Sequence, residues 1–567
     1  MYFDAMIHVK RLGTAGGKLD NPAVISRFAL AFLLIPALVS ADTYPRQAGI
    51  DVLHYVFRLG LTDTSNEITG EATVTVKVLQ DRIADLSLDL TSLAAGKGMT
   101  VQSVRRGPPT DTPGPPADAI MFTHVNNRLR LVLPPQTRAG DELTFTVRYR
   151  GIPGGGLRIG DNIHRERTFF SENWPDNARQ WLPMLDHPSD KATGEFIVTA
   201  PNHYQVVANG LLIEELDLPH GERRTHWKQA VPISSWLYAV GVARFSFHSA
   251  GMTNGVPLQT WVFPQDREPG IRLFEDTSRR AMDFFVSHIG PYSYEKLANV
   301  EAAGLNGGTE HASAIFYGEK GVTNGNGPVV HEIAHQWFGN AVTERDWDDV
   351  WLSEGFATYF TLLFTEHDAG RDAFVAGLKQ SRNTVLQLEQ KLPDTPVIHR
   401  NLSDMRRVLN GLVYQKAGWV LHMLRQEVGT EQFWTAIREY YRRYRNGHAS
   451  TSDLRAIFEQ VSGKPLDWFF AQWLTRPGVP KVEGAWRYDA VRRVVEVTVT
   501  QSQTAEPFRL KVDVGIAAAA GDLPKVETIE LTGRQATRTF PLDAAPASVT
   551  LDPQTALLME AGSFVRR

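Results

Sequence analysis

His331-Glu332-Ile333-Ala334-His335 and, further on, Trp351-Leu352-Ser353-Glu354-Gly355-Phe356 decide how this chain of 567 residues is read. In a helix, a spacing of four sets His331 and His335 one turn apart on one face, where two imidazoles can close on a single metal ion. Neutral imidazole and carboxylate suit zinc. Two His plus one Glu leave a tetrahedral ion one open position, which is the pattern of a catalytic rather than a structural site. Glu332 is turned about 100° around the helix from His331, so it can face the open position without being a ligand and is a candidate general base. Glu354 is expected on a second helix, Trp351 to Phe364, that begins near Ser353. The histidine pair alone is only a hypothesis, and a Glu at one set spacing removes most chance matches. The competing reading is an exposed amphipathic helix with two satisfied histidines.

The chain is long enough for two to four domains, and its apolar fraction of 43% is that of a globular protein. A net charge of -4 arises from interspersed charges without a long basic or acidic block, which argues against a nucleic-acid partner or an anionic membrane surface. Arg27 precedes an apolar run from Phe28 to Leu38 that is too short to span a bilayer, and Val39-Ser40-Ala41 suits a signal-peptidase cut before Asp42. Residues 1–41 are therefore expected to be an export signal. Met1 to Ser26 is long for the leading part of such a signal, which points to a true start downstream of Met1. Cysteine is absent, so an exported product is held by packing without disulfides and carries no Cys-linked lipid. With no other stretch of membrane-span length, the expectation is a periplasmic or secreted protein with no stable span once the signal is removed.

Between Asp42 and Phe245 short alternating runs dominate: Val52 to Leu59, Ile68 to Leu79, Leu129 to Leu133 and Leu143 to Tyr149. Period-two alternation between turn residues predicts antiparallel β-structure over 42–250. The Pro- and Gly-rich insert Gly107 to Pro116 is expected to be an exposed loop, and Gly154 to Gly160 a turn, since it lacks the Lys-Ser/Thr ending of a phosphate loop. From about 251 to 479 helical periodicity takes over, with helices expected at Leu273 to Ile289, Arg371 to Gln390, Gly411 to Val428, Gln432 to Tyr444 and Ser452 to Val461. Thr430 and Thr451-Ser452-Asp453 are the candidate N-caps. Pro477-Gly478-Val479-Pro480 breaks the helices, and alternation returns over 480–567, predicting a small antiparallel β-sandwich.

The metal motif by itself says zinc-dependent hydrolysis and leaves endopeptidase and aminopeptidase open. Its neighbours narrow the choice. Gly307-Gly308-Thr309-Glu310-His311 resembles the Gly-Ala-Met-Glu-Asn element of the aminopeptidase N family of zinc metallopeptidases (gluzincins). Val413-Tyr414-Gln415-Lys416 resembles that family's Tyr-x-Lys element. Trp351 to Phe360, Trp473-Leu-Thr-Arg-Pro477 and Asn177-Ala-Arg-Gln-Trp-Leu-Pro183 are similar to it as well.

The resemblance implies a multidomain α+β protein: an N-terminal antiparallel β-domain, a thermolysin-like helical catalytic domain and a C-terminal β-sandwich, in a short form lacking the family's helical C-terminal domain and so with a more open cleft. It implies one Zn2+ per chain, bound by His331, His335 and Glu354, with Glu332 activating water and Tyr414 steadying the oxyanion. Glu310 would hold the free α-amine of a peptide substrate, and Gly307 and Gly308 would meet the peptide backbone. Glu172 is a second candidate amine contact, with Trp174 as the other residue alignment could place there. Asp349 is a candidate acceptor for a zinc-bound histidine, and His311 and His422 are read as packing or pocket residues. Thr309 and His311 depart from the family's Met and Asn, which alters the first side-chain pocket. The implied activity is removal of N-terminal residues from peptides. A zinc endopeptidase, or a binding scaffold that kept the fold and lost the chemistry, are the rivals.

Overall fold

The computed structural model describes residues 46–109, 118–398, 402 and 404–567. The expected export signal and the core of the Pro-rich insert lie outside the described residues. The alternating runs of the N-terminal region form a seven-stranded sheet in the order Leu211–Leu218, Glu222–Ser234, Lys191–Pro201, Ile50–Gly60, Ile68–Val78, Glu142–Ile152, Gly98–Arg106. Lys191–Pro201 shows how the sequence does this. Ala192, Gly194, Phe196, Val198 and Ala200 are buried in strict alternation with exposed or half-exposed neighbours, as a strand with one wet face requires. Phe196 packs with Phe57, Trp181 and Tyr238 on the inner side. The expectation of a purely antiparallel region needs correction, because Ile50–Gly60 pairs with Lys191–Pro201 in parallel. Period two reports which face a residue takes and carries no information about strand direction.

A larger departure concerns the region read as helical. It contains a five-stranded sheet ordered Ser246–Thr253, Val256–Val262, Leu297–Ala302, Ala314–Gly318, Gly308–Thr309, whose three inner strands are parallel to one another. Every residue of Leu297–Ala302 and of Ala314–Gly318 is buried. Strands covered on both faces show no alternation, so the pattern that revealed the first sheet was silent here. The short strand Gly308–Thr309 is the edge of this sheet and pairs antiparallel with Ala314–Gly318.

The helices among the described residues are α1 (Arg267–His288), α2 (Glu319–Asn324), α3 (Val329–His335), α4 (Trp351–Ala369), α5 (Arg371–Lys391), α6 (Gly411–Val428), α7 (Thr430–Tyr444), α8 (Thr451–Ser462) and α9 (Asp467–Leu474). α6 has the expected limits, α3, α4, α5, α7 and α8 match within a few residues at each end, α1 starts one and a half turns earlier, and α2 and α9 were not among the expected helices. α8 is capped one residue before the expected stretch: Ser450 accepts from Asp453 N–H while the Asp453 carboxylate accepts from Ser450 N–H. That reciprocal pair satisfies two donors that would otherwise be bare. α7 has Gly429 at its cap, and Thr430 is already helical. α4 is apolar almost all round because α3, α5 and α6 enclose it, and Gly355 on α4 lets α6 approach closely. A Cβ on Gly355 would lie 2.6 Å from that of Ala417.

After Pro480 two further sheets follow. One is ordered Gln535–Pro541, Val494–Gln501, Lys481–Asp489, Glu560–Arg566, and the other Lys525–Leu531, Leu510–Ala517, Ser548–Leu551. Lys481–Asp489 was not legible as a strand, and its pairing with Glu560–Arg566 is parallel.

Lys416 fastens α6 to the segment leading into these sheets. Its fully buried ammonium donates to Glu389 Oε1 on α5 (2.7 Å) and to the Gly478 carbonyl (2.9 Å), while Glu389 Oε2 accepts from Gly478 N–H at 3.1 Å. Removing one partner of such a pair strands the other charge in the interior. Lys416→Met is expected to cost about 3–5 kcal/mol, read as a lowered urea midpoint, with Glu389→Gln milder because the amide still serves Gly478.

Candidate active site

α3 is a short helix entered through Pro328, and it presents its two histidines from one face. His331 Nε2 and His335 Nε2 lie 3.2 Å apart, and Glu354 Oε2, from the first turn of α4, is 3.4 Å from the former and 3.3 Å from the latter. The protons can be assigned from the far side of the ring. His335 Nδ1 is 3.2 Å from the Phe338 carbonyl, which only accepts, so Nδ1 carries a proton and Nε2 is the atom turned to the shared point. Ser353 Oγ also reaches Nδ1, at 3.0 Å. Gly339 makes room for this contact. A Cβ there would sit 2.2 Å from Ser353 Oγ, and its φ of +112° suits glycine.

Two imidazole Nε2 atoms and a carboxylate oxygen thus converge in a largely buried place. Such a set is stable only around positive charge. The proton affinity of the site reports the same field. Burial works against a charged His335, but Glu310 and Glu354 raise its pKa to about 10. Burial likewise opposes ionised Glu354, but His335 and His331 hold it down at about 2. The residues present fit a divalent metal with an N,N,O donor set.

Glu332 lies behind the pair, 4% exposed. Burial first, and then the nearby Glu310 carboxylate, push its pKa well above the usual range. It is seated against the edge strand, where a Cβ on Gly308 would fall 2.6 Å from Glu332 Oε1, so this glycine is required by the carboxylate beside it. Gly307 has φ of +86° and gives its carbonyl to Gly318 N–H. Ligand atoms of Glu310, Glu332 and His335 also lie within 4.8 Å of one another, so Glu310 belongs to the same constellation. Its backbone carbonyl accepts from Asn340 Nδ2 (2.6 Å) and Gln336 Nε2 (2.9 Å), which follow directly on α3. Its carboxylate accepts from Trp174 Nε1 at 3.3 Å.

Glu172 is brought to the site by the β-rich region. Thr309 Oγ1 donates to it at 2.9 Å, and burial, with Glu310 adding repulsion, lifts its pKa to about 7. Tyr414, one turn into α6, has its ring 6.2 Å from that of His331 and nearly parallel to it, and the Glu354 carboxylate acts on its phenol electrostatically. Burial and that carboxylate keep the phenol neutral.

One expected residue is elsewhere. Asp349 accepts from the backbone N–H (3.2 Å) and hydroxyl (2.6 Å) of Thr451 at the start of α8. Ser353 and the Phe338 carbonyl serve His335 in its place. Adjacency to Glu354 in sequence is the only local signal that points to Ser353. Trp174 was considered only as an alternative to Glu172, and both reach the site. His311 is buried against Phe316, with burial pushing its pKa down to about 4. His422 donates Nε2–H to the Thr555 carbonyl and meets Tyr359 through Nδ1. Both sit in the interior, in keeping with the expectation of packing or pocket residues.

Residues 52–237 match the Peptidase M1 N-terminal domain and residues 314–473 the Peptidase family M1 domain. The chain belongs to peptidase family M1. Among M1-related proteins, it is 25% identical over 422 residues to glutamyl aminopeptidase of Bitis rhinoceros, covering 70% of this chain and 44% of that protein. It is 28% identical over 337 residues to Tricorn protease-interacting factor F2 of Thermoplasma acidophilum, covering 56% of this chain and 42% of that one. The chain thus spans less than half the length of either. In fold it is similar to an M1 zinc metallopeptidase from Deinococcus radiodurans, with a TM-score of 0.65 and 24% identity over 77% of this chain and 95% of that one. It is also similar to Legionella pneumophila aminopeptidase A in complex with aspartic acid, with a TM-score of 0.75 and 18% identity over 91% of this chain and 60% of that one.

The Ser353 contact makes a test of the metal site. Outer hydrogen bonds to a ligating histidine set its orientation and basicity. Ser353→Ala is expected to weaken divalent metal binding about tenfold, measured by competition with a chelator, while His335→Phe abolishes it.

Proposed function

We propose that this chain is a zinc aminopeptidase that removes N-terminal residues from peptides. The observation that carries this reading is the pair of carboxylates, Glu310 and Glu172, set beside the metal-binding group. Their side-chain donors are neutral groups, Trp174 Nε1–H and Thr309 Oγ1–H, and not Lys or Arg. Two partly desolvated carboxylates without a cationic side chain on them are suited to a cation brought by the ligand, and the free α-amine of a peptide is one. A peptide presenting an amide there leaves a carboxylate unpaired, which is strongly penalised.

His331, His335 and Glu354 would hold one Zn2+, whose contribution is Lewis acidity that makes water acidic and polarises a carbonyl. The remaining work falls to the chain. Glu332, held against Gly308, takes the proton of the attacking water and later returns it to the leaving amine. Its raised proton affinity suits both transfers. Tyr414, kept neutral, donates a hydrogen bond to the carbonyl oxygen as negative charge grows there. Gly307 and Gly308 lie at the edge strand, where an extended substrate backbone can align. Glu310 and Glu172 fix the register by binding the amine, so that the first peptide bond is the one presented.

The family members named glutamyl aminopeptidase and aminopeptidase A support the reaction class. Residues 1–41 are proposed as an export signal, giving a periplasmic or secreted product, and no helix among the described residues is long and apolar enough to cross a membrane. A three-part division is proposed with borders near 250 and 479, although Ser246–Thr253 runs across the first of these. The last two sheets are proposed to be the layers of a sandwich, supported by buried Val495, Val497 and Val499 on one and Val512, Val514 and Ile529 on the other.

The deciding experiment compares an aminoacyl p-nitroanilide with its N-acetylated twin. Cleavage of the free amine only is expected, and equal rates would leave endopeptidase chemistry as the better reading. Glu332→Ala should abolish turnover while inhibitor binding persists. Tyr414→Phe should lower kcat about 100- to 1000-fold, and Glu310→Ala should act chiefly on KM.

A further inference from the structure

We infer that Thr309 and Trp174 are positioning residues that set the two amine-site carboxylates through a reciprocal brace. The inference rests on the aminopeptidase reading and concerns side chains that this reading does not use as contacts to substrate. The brace has two arms. One is the segment 172–174 that follows the strand Arg167–Ser171, and the other is the segment 309–310 at the edge of the five-stranded sheet. Each arm supplies one carboxylate and one donor, and the bonds cross: Thr309 Oγ1 to Glu172 Oε2 at 2.9 Å and Trp174 Nε1 to Glu310 Oε1 at 3.3 Å.

This arrangement answers a physical difficulty. Two carboxylates facing one pocket repel each other, and in the absence of substrate each gains by rotating away. A donor fixed on the opposite arm holds each in place and favours its ionised form. Trp174 cannot swing aside, because its indole packs against Trp236 and Trp347 with ring centroids 5.9 and 5.0 Å away. An indole has a single N–H and no acceptor, so its only polar capacity is spent on Glu310. Thr309 is held by its place on the edge strand. An ionised carboxylate accepts about four hydrogen bonds, so each retains capacity for an ammonium after the brace is made. Binding of the amine is thereby prepaid: the carboxylates are already aimed and the substrate does not have to order them.

A positioning role through Glu172 predicts a particular split. Thr309→Val removes the hydroxyl at nearly constant shape. On the fastest substrate of an aminoacyl p-nitroanilide panel it should raise KM about tenfold with kcat within about twofold, and Thr309→Ser should recover most of the loss. The effect must vanish in a Glu172→Ala background, since removal of the braced group leaves the donor nothing to position. Trp174→Phe tests the other arm, with the same KM-dominated loss expected and no added loss beside Glu310→Ala. Equal effects of Thr309→Val with and without Glu172, or a fall in kcat at unchanged KM, overturn the brace. A wild type that cleaves the acetylated twin equally well overturns the aminopeptidase reading and the brace with it. A wild type that discriminates, with Thr309→Val and Trp174→Phe both silent, overturns the brace alone.

Discussion

Three lone pairs aimed at one buried point set the terms for everything around them. His331 Nε2, His335 Nε2 and Glu354 Oε2 stand within 3.2 to 3.4 Å of one another, a distance at which filled acceptor orbitals repel unless a cation lies between them. Holding them there demands rigidity from two helices at once. α3 supplies it through the proton on His335 Nδ1, which is bound to the Phe338 carbonyl of its own C-terminal turn. α4 supplies it through Ser353, the residue before the ligand it carries. Glycines at 308, 339 and 355 are the other half of the same constraint, each placed where a methyl group would overlap Glu332, Ser353 or Ala417.

Negative charge accumulates around that point, since Glu172, Glu310, Glu332 and Glu354 act on one another electrostatically. Among the described residues, no Lys or Arg side chain makes an ion pair with any of them. Its buried lysines are spent on architecture. Lys191 donates to the Asn340 and Ala341 carbonyls, Lys296 to the Ala208 carbonyl beneath the Trp227 ring, and Lys416 to Glu389 and the Gly478 carbonyl. The first ties the β-rich region to the segment that follows α3, and the second ties it to the start of Leu297–Ala302. Keeping cations out of the site leaves its potential available to a metal and, on the proposed reading, to a substrate's amine, either of which offsets the cost of burying so much like charge.

The parts of this design written in local pattern were legible and the parts written in packing were not. His331, Glu332, His335 and Glu354 could be assigned because helix geometry converts sequence spacing directly into position. α6 could be delimited to the residue because Asn410 before it and Gly429 after it are strong punctuation. Leu297–Ala302 and Ala314–Gly318 were invisible as strands because burial on both faces erases alternation, and with them went the knowledge that Gly308 and Thr309 form a sheet edge. Asp349 was misplaced for a related reason: adjacency in sequence suggested the metal, whereas the turn before α4 directs the side chain to α8. Glu172 and Trp174 were within reach of resemblance, yet their pairing with Thr309 and Glu310 required the fold, because it joins residues 136 and 137 positions apart.

That separation has a consequence for the order in which the molecule becomes competent. Closing α3 onto α4 spans about two dozen residues, while joining the two arms of the brace requires the β-rich region and the five-stranded sheet to have formed and docked, a closure several times longer and entropically more expensive. The metal-binding group can therefore assemble from its own neighbourhood, whereas amine recognition waits for the whole. During maturation, and in any locally loosened state, the chain would hold a hydrolytic centre before it holds the means to count from a peptide's end.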